Sequence, residues 1–415
     1  MVIYHSRRQT MNTPPIARRL TTSCAALLLA GLAAAYGQEI RVVVTNPSAA
    51  ARSGEPVVVP WDMLLRGVPV LSSSVVVTDV RGNLYDNQVD DLDRDGTPDE
   101  LAFVADFGPR EEKVFTVRAL GEKKSSGSRM RTDAADWKRI GGVLQTVDDD
   151  DVPGGQRLRG SYRFDGVGWE SELTAYRLYL DERNAVDILG KHKPGLYWNY
   201  IGTSGVDYQN DADWGMDVLH VGSALGIGGI GLWVADSVLK PITLDRQRTR
   251  IIARGPVRAV VTVAYAGWDR GSRNVDLLST FLQYAGDRAC EHRVTLLSNS
   301  PPDTIATGIV RHDSTSLTWN AAEACLWTSG YQSRAGDSLM LGLTVPLSSL
   351  IRQTEGPYDH LLLLALRKGA PARILLSYAW QGETGRMWTT SEIEQYLHTC
   401  ARRMNEPLVV RHAAN

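Results

Sequence analysis

The 415-residue chain lacks the features that mark several common functional classes. Its formal net charge is only -2, so no basic field favours a nucleic-acid partner. Beyond the N-terminal segment, no run approaches the ~18 apolar residues that cross a membrane, so we expect no membrane span in the mature chain. The sequence has no G-x-S-x-G, H-E-x-x-H or P-loop lysine motif. The glycine run at 226–231 leads into a strand-like segment and not a helix, so it is no dinucleotide fingerprint, and we expect no organic cofactor.

Cysteine is scarce, with four residues in the whole chain. Three of them, Cys290, Cys325 and Cys400, lie beyond the N-terminal segment. None belongs to a C-x-x-C pair, which argues against a cysteine-ligated metal. An oxidising compartment permits one disulfide among the three, and three buried thiols are the other interpretation.

Residues 1–37 have the pattern of a signal peptide. Arg18 and Arg19 form a basic region, residues 25–35 are apolar, and Ala35 and Gly37 form a small-x-small cleavage pattern. Met11 is an alternative start. We expect the mature chain to begin at Gln38 and to be exported, to the periplasm or outside the cell.

The rest of the chain indicates an all-β fold. Short β-branched or apolar runs separated by Gly, Pro, Asn and Asp recur without a βαβ repeat, which is typical of an antiparallel sandwich or barrel. We predict a small N-terminal β-domain at 38–120, a Lys/Ser/Gly/Arg-rich linker at 121–136, a large β-domain at 137–390, and a C-terminal helix with a tail at 391–415.

The C-terminal segment predicts an amphipathic helix. Ser391 is the expected N-cap, and Glu394 completes a capping box three residues later. Apolar residues then recur at helical spacing on one face: Ile393, Leu397, Ala401 and Met404.

An Asp-rich segment near residue 95 resembles the first half of a calcium-binding loop. Its carboxylates alternate along the chain, and Gly96 permits a sharp turn. Ala102 stands where an EF-hand has its bidentate Glu, so we expect a short loop that holds a structural calcium ion. An Asp/Gly turn whose side chains bind their own backbone is the alternative. The expected ligands are Asp91, Asp93, Asp95 and Asp99.

The segment from Tyr208 to Gly222 combines carboxylates, aromatic rings and a histidine. Carboxylates accept hydrogen bonds from sugar hydroxyls, and flat rings cover the apolar faces of a sugar. We therefore expect Asp213, Trp214 and Asp217 to bind carbohydrate. A hairpin whose Trp and Gly serve packing is the alternative.

Two further segments carry candidate residues. Strand alternation predicts that Glu170 and Glu172 share one sheet face, with Arg177 on the other, and all three are candidate substrate-binding residues. Lys191 and His192 lie in a cationic cluster after a strand, which suits a uronate carboxylate or a solvated turn. Elsewhere, Arg293 is a candidate cation, and His312 stands between an Arg and an Asp near a turn, where histidine can carry protons.

Several of these segments together resemble the bacterial domain of unknown function 4861 family. The segments are 168–179, 186–191, 213–222 and 225–231, and the Asp-Trp-Gly-x-Asp part at 213–217 is the most specific. The resemblance implies a large β-supersandwich like that of galactose mutarotases and several polysaccharide lyases. It also implies a Tyr-His pair before the Trp-Gly motif, where this chain has Tyr208-Gln209.

These observations lead to a functional hypothesis: an exported protein that acts on a glycan, with a lyase acting on a uronate-containing substrate as the favoured reaction. Lys191, His192 or Arg293 would neutralise the carboxylate, and Tyr208 or His312 would be base or acid. A glycoside hydrolase or sugar epimerase on the same scaffold, and a non-catalytic carbohydrate-binding protein, are the alternatives.

Overall fold

The structure is a computed structural model, and it describes most of the chain after the predicted signal peptide. The described ranges are 39–64, 75–119, 129–158, 160–202, 206–297, 303–386 and 388–413. The predicted signal peptide and residues 121–128 of the predicted linker lie outside these ranges.

The N-terminal region contains seven strands within the described residues. They are β1 (Glu39–Thr45), β2 (Arg52–Pro60), β3 (Val75–Asp79), β4 (Leu84–Tyr85), β5 (Asn87–Asp90), β6 (Glu100–Phe107) and β7 (Glu112–Ala119). A short 3-10 turn, Trp61–Met63, follows β2.

The large region continues with strands and a short helix. They are β8 (Thr132–Ile140), β9 (Val143–Thr146), β10 (Asp149–Val152), β11 (Tyr162–Ser171), β12 (Ala175–Tyr179), β13 (Val186–Lys191), α1 (Trp198–Ile201), β14 (Gly215–Asp217), β15 (Ile227–Val234), β16 (Ser237–Leu239), β17 (Arg246–Ala253), β18 (Arg258–Asp269), β19 (Asn274–Tyr284), β20 (Cys290–Leu296), β21 (Asp303–Val310), β22 (Thr315–Asn320), β23 (Cys325–Tyr331), β24 (Ser338–Thr344), β25 (Leu350–Glu355), β26 (Asp359–Leu366) and β27 (Ala372–Trp380). The C-terminal helix α2 (Thr390–Asn405) and strand β28 (Val409–His412) complete the chain.

The large region is a sandwich of antiparallel sheets. A nine-stranded sheet, in the order β10-β17-β18-β19-β20-β27-β24-β23-β22, faces a six-stranded sheet (β14-β13-β12-β11-β8-β9) and a five-stranded sheet (β16-β15-β21-β26-β25). One core cluster takes buried residues from all three sheets, and Trp169 of β11 stacks on Phe281 of β19 with 4.2 Å between ring centroids. The predicted all-β sandwich is confirmed.

The N-terminal region has its own core between a five-stranded sheet, β28-β1-β7-β3-β4, and a three-stranded sheet, β2-β6-β5. Phe103 and Phe115 meet edge to face at 4.8 Å in this core. The buried Arg258 of β18 joins the two regions, because its guanidinium pairs with Asp90 at 2.7 Å and with Glu100 at 2.8 Å.

The predicted linker and the predicted tail each contain strand residues. Strand β8 begins at Thr132, inside the range predicted as a linker, because residues 132–136 are buried and pair with β11. The predicted tail contains β28, which pairs with β1 in the N-terminal sheet, with Val410 opposite Val44.

The predicted C-terminal helix is present, and its predicted apolar face is buried. Its cap lies two residues earlier than expected. Thr389, and not Ser391, accepts the backbone N–H of Glu392, and the Glu392 carboxylate accepts the backbone N–H of Thr389. This is a capping box shifted by two residues from the predicted one.

Cys290, Cys325 and Cys400 are buried free thiols, in agreement with the second of the two interpretations. The glycine run at 226–231 also has a structural explanation. Gly226 has φ +74° and lies against the Val186 carbonyl, where a side chain would collide with the backbone. In the part of the chain that the structure describes, no helix has the length and apolar character to span a membrane.

Candidate functional site

Two of the predicted catalytic residues, Lys191 and His192, lie together at the end of β13. A cavity of about 290 Å³ there, named the His192 pocket, lies between the segment after β13 and the turn after β27. Its lining residues are Leu173, Lys191, His192, Lys193, Pro194, Arg288, Glu383, Thr384, Gly385 and Arg386.

Backbone hydrogen bonds join the segments that form this pocket. The His192 N–H donates to the Trp214 carbonyl at 3.0 Å, which brings the Asp-Trp-Gly segment beside β13. The Thr384 N–H donates to the His192 carbonyl at 2.8 Å, which fixes the turn after β27 on the other side. Residues far apart in sequence thus surround the His192 side chain.

The His192 ring is held between two hydrogen-bond acceptors. Its Nδ1 lies 2.6 Å from the Gly382 carbonyl and its Nε2 lies 2.7 Å from the Asp211 carboxylate. Burial by itself lowers the pKa of His192, but the bonds to Gly382 and Asp211 outweigh it and raise the pKa above its usual value. Because both acceptors need a proton on the ring, the doubly protonated imidazolium satisfies this geometry.

Three further cations surround His192. The Arg288 guanidinium forms two bonds with the Glu383 carboxylate, so its charge is compensated. Lys193 and Arg386 are exposed, and within the described residues neither forms an ion pair. Arg288 and Arg386 lie on the Trp388 ring, at 4.6 Å and 3.8 Å from its centroid. The pocket therefore contains two cations without an ion-pair partner among the described residues, which suits an anionic ligand.

Lys191 and Glu170 meet each other and not a ligand. Their side chains form an ion pair and are 1% and 0% exposed. The Lys191 ammonium also donates to the carbonyls of Ser171 at 2.6 Å and Gly195 at 2.8 Å, so its three N–H groups are all used. Burial lowers the pKa of Lys191 and raises that of Glu170.

The Glu170 carboxylate also positions the segment that covers the sheet. Its Oε1 accepts the backbone N–H groups of Tyr197 at 2.6 Å and Trp198 at 2.8 Å. Gly168 allows Trp198 to pack directly on β11, because a Cβ there would be 2.2 Å from the indole. Lys191 and Glu170 thus connect β11, β13 and the segment that begins α1.

The predicted face assignment of this hairpin is wrong. Strand β11 pairs with β12 so that Glu170 is opposite Ala175 and Gly168 is opposite Arg177. Directly paired residues point to the same face, so Glu170 and Arg177 share it. The reason is the turn at Ser171–Thr174, which reverses the chain and breaks the alternation. Glu172 belongs to this turn and pairs with Arg131.

Arg177 and Asp217 belong to a second buried network under the Asp-Trp-Gly segment. The Arg177 guanidinium contacts the carboxylates of Asp187 and Asp217, the latter at 3.0 Å, and the Arg334 guanidinium reaches Asp217 at 3.1 Å. Burial and the neighbouring Asp187 carboxylate raise the pKa of Asp217 to about 7. This network does not line the His192 pocket.

The aromatic residues of the same segment serve packing. Trp214 is 3% exposed and contacts Tyr197 with 6.1 Å between centroids, so it has no open face for a sugar. Tyr208 is half-buried, and its ring contacts Phe164 at 5.1 Å. Asp213 is exposed, but it does not line the pocket. The alternative interpretation of this segment, packing of its Trp, fits Trp214.

Two predicted catalytic residues lie elsewhere. Arg293 is in a separate cavity of about 150 Å³ between the N-terminal region and the sandwich, where its guanidinium pairs with Glu291 at 2.8 Å. His312 follows β21 and lies against the backbone of His220, and burial lowers its pKa. Neither residue is brought to the His192 pocket.

The predicted calcium loop brings three of its four carboxylates together. Asp91, Asp93 and Asp99 each place an oxygen within 4.8 Å of the others, and Asp95 is not in this group. The same carboxylates accept backbone N–H groups, for example Gly96 to Asp91 at 2.8 Å and Leu92 to Asp99 at 2.6 Å. The oxygen donor set suits calcium, and the bonds also fit the predicted Asp/Gly turn.

Four residues of the site carry no role predicted from the sequence: the lining residues Arg288, Glu383 and Arg386, and Asp211, which contacts His192. A signal was present in the segment 381–388, where Gly, Glu, Arg and Trp form a polar, glycine-containing turn after a strand. This signal gives no link to His192, because Gly382, whose carbonyl contacts the His192 ring, is 190 residues away along the chain.

The sequence model of a family described as "Domain of unknown function (DUF4861)" matches residues 44–410. A curated relative is "Uncharacterized protein P7" of Formosa agariphila, 23% identical over 348 residues, which are 78% of this chain and 80% of the relative.

Two solved structures from Enterococcus faecalis have a related chain course: an alpha-mannosidase, and a protein in the glycosyl hydrolase family 38. Each has a TM-score of 0.44 and 9% identity over 95% of this chain. The chain spans about half of each structure, 48% and 50% respectively. At this TM-score the likeness identifies neither a substrate nor a reaction.

Proposed function

The chain belongs to the family described as Domain of unknown function (DUF4861), and we propose that it binds an acidic glycan through the His192 pocket. The ligand unit in the pocket would be a uronate. The observation that supports this most directly is the charge balance of the lining: Arg288 is neutralised by Glu383, while Lys193 and Arg386 keep their charge for a ligand. A carboxylate between these two cations gains charge-assisted hydrogen bonds.

The favoured reaction is β-elimination at the uronate. In this reaction a base removes the proton next to the carboxylate, the bond to the leaving oxygen breaks, and an acid protonates that oxygen. Negative charge builds up on the carboxylate as the proton leaves, so cations beside it stabilise the transition state. Lys193 and Arg386 are the groups that would supply this stabilisation.

His192 is the proposed proton carrier. The Gly382 carbonyl can only accept, so it keeps a proton on Nδ1 and leaves Nε2 as the atom that exchanges protons. Asp211, which faces Nε2, has a side chain that is 63% exposed, so a ligand can displace it. The proposed reaction thus assigns proton transfer to His192, whereas the hypothesis from the sequence assigned it to Tyr208 or His312.

The experiment is an incubation of the purified protein with uronate-containing and neutral glycans. Absorbance of the unsaturated product in the near ultraviolet and chromatography are followed together. We expect new absorbance with a uronate polymer, its loss in His192→Asn, and weaker binding in Lys193→Ala. His398→Asn is the matched control, because His398 also pairs with a carboxylate, Glu323, but does not line the pocket.

Other outcomes would overturn parts of the proposal. Saturated fragments or exchanged epimers without new absorbance would replace the lyase with a hydrolase or an epimerase. Binding of acidic glycans without any chemical change would leave a non-catalytic carbohydrate-binding protein. Equal binding of acidic and neutral glycans, unaffected by Lys193→Ala, would refute the acidic ligand itself.

Two further properties belong to the proposal. We propose that residues 1–37 direct export to the periplasm or beyond, which detection of a mature chain beginning at Gln38 would support. We also propose that the loop with Asp91, Asp93 and Asp99 holds a structural calcium ion.

A further inference from the structure

A second cavity lies at the other end of the β12–β13 hairpin. It has a volume of about 580 Å³ and is named the Arg183 pocket. Its lining residues are Arg157, Asp165, Asp181, Glu182, Arg183, Gly222, Ser223 and Lys240. The turn between β12 and β13 supplies three of them, and the segment that follows the Asp-Trp-Gly motif supplies Gly222 and Ser223.

The charges of this pocket compensate one another, unlike those of the His192 pocket. Arg157 donates to Glu182 at 2.8 Å, and Arg183 pairs with Asp181 and, at 3.1 Å, with Asp165. The lining thus contains three cations and three carboxylates, and its formal charge is zero. Such a lining has no preference for an anion, but it presents many donors and acceptors to a neutral ligand.

Two of its charged groups retain unused hydrogen-bonding capacity. The Lys240 ammonium donates to the carbonyls of Arg183 at 2.7 Å and Ala224 at 2.8 Å, which leaves one of its three N–H groups. The Glu182 Oε2 atom is enclosed and has no hydrogen-bond partner within the described residues. The Glu182 side chain is 31% exposed, so it can turn Oε2 toward the cavity, where a ligand hydroxyl would supply the missing hydrogen bond.

The backbone around Asp165 directs its side chain toward this pocket. Asp165 has φ +49°, and it lies in β11 where the register with β8 shifts between Tyr162 and Val167. A bulge of this kind re-aims a side chain and is frequent beside functional sites. The Arg183 guanidinium, which Asp165 contacts, lies 3.5 Å from the centroid of the Tyr179 ring.

We propose that the Arg183 pocket is a second saccharide site, and that it takes a neutral, hydroxyl-rich sugar unit. The inference rests on the proposed function in that it takes the ligand to be a glycan, but it does not require the His192 pocket to work. His192 follows Asn184 by eight positions along a nearly extended chain, which corresponds to roughly 25 Å. A single sugar unit cannot reach both pockets, so the two sites are separable by experiment.

The test is calorimetric titration of the purified protein with the methyl glycosides of glucose, galactose, mannose, xylose and rhamnose. We expect at least one of them to bind, and Glu182→Gln to weaken that binding at least 10-fold. Lys240→Met should do the same. The matched control is Lys113→Met, since the Lys113 ammonium also donates to a backbone carbonyl, that of Asp106, at 2.6 Å, but far from this pocket.

Glutamine has the same shape as glutamate and the Glu182 side chain is half-buried, so Glu182→Gln is expected to fold. This variant therefore decides the test if Lys240→Met does not fold. Binding that is equal in Glu182→Gln and the wild type, or no binding of any glycoside, would overturn the inference. Lys193→Ala should leave the binding of the neutral glycosides unchanged. If acidic glycans do not bind but a neutral glycoside does, and Glu182→Gln weakens it, the proposed function fails while the second site stands.

Discussion

Replacing Glu170 with glutamine tests whether the buried pair with Lys191 belongs to the fold. Both side chains are enclosed, at 0% and 1% exposure. The glutamine oxygen can still accept the N–H groups of Tyr197 and Trp198, but its amide NH₂ then faces the Lys191 ammonium. Two hydrogen-bond donors, the glutamine NH₂ and the Lys191 ammonium, then face each other, and no carboxylate compensates the lysine charge.

The expected cost follows from this enclosure. Removing one partner of a buried ion pair costs about 3–5 kcal/mol, because the remaining charge stays out of water without compensation. Glu170→Gln should therefore lower the free energy of unfolding by about 3–5 kcal/mol. The double variant Glu170→Gln/Lys191→Met should recover part of this loss, since it removes the uncompensated charge as well.

The assay is urea denaturation followed by tryptophan fluorescence, because the buried Trp198 is bound to Glu170 through its backbone N–H. Glu172→Gln is the control: the Glu172 side chain is 21% exposed and that of its partner Arg131 is 42% exposed, so about 1 kcal/mol is expected. A loss for Glu170→Gln no larger than that for Glu172→Gln would refute the structural role of the pair.

Four further predictions concern other parts of the chain. Trp214→Ala should cost about 3–5 kcal/mol of stability in the same assay, because Trp214 is a core residue, and unchanged stability would contradict this. Thr389→Ala should cost about 1 kcal/mol, while Ser391→Ala should cost much less, and the reverse order would restore the predicted cap. Burial raises the pKa of Asp136 from 3.8 to about 7, so the folded state retains a proton that the unfolded state loses, and stability should fall between pH 4 and pH 7. The Asp136→Asn variant should reduce this fall without abolishing it, since the pKa values of Asp217 and Asp359 are also raised to about 7, and a profile identical to that of the wild type would exclude a contribution of Asp136. Removal of calcium by a chelator should lower the melting temperature, and Asp91→Asn should abolish that effect; a melting temperature independent of calcium would count against the ion.

The sequence predicted the fold well where one local rule decides the structure. Strand alternation and turn residues are local properties, and they predicted the all-β sandwich. Helical spacing predicted the buried face of α2, with Leu397 and Ala401 in the interior. The predicted cap was two residues too late because Thr and Ser both favour the N-cap position, and Thr389 and Ser391 are each followed by a Glu three residues later.

The candidate site was harder to predict, because burial and pairing depend on contacts between distant segments. Lys191 and His192 are neighbours in sequence and both line the pocket, yet the Lys191 ammonium is enclosed with Glu170 while the His192 ring is held by Gly382 and Asp211. Their difference arises from the alternation of β13, which points them to opposite sides, and from the turn after β27, which no local pattern places there. Trp214 lies in a segment whose composition is typical of sugar binding, but its side chain packs among residues of α1 and of the six-stranded sheet.

The pairing of β28 with β1 has a consequence for the order in which the chain folds. Strand β1 is synthesised long before residues 409–412, which are its partner on one side. Until these residues are made, β1 offers an open edge with its N–H and C=O groups unpaired, and such an edge can join another chain. The N-terminal sheet is therefore completed only after the whole sandwich has been synthesised, although N-terminal domains commonly fold first. Loss of residues 409–412 would expose this edge of β1 again.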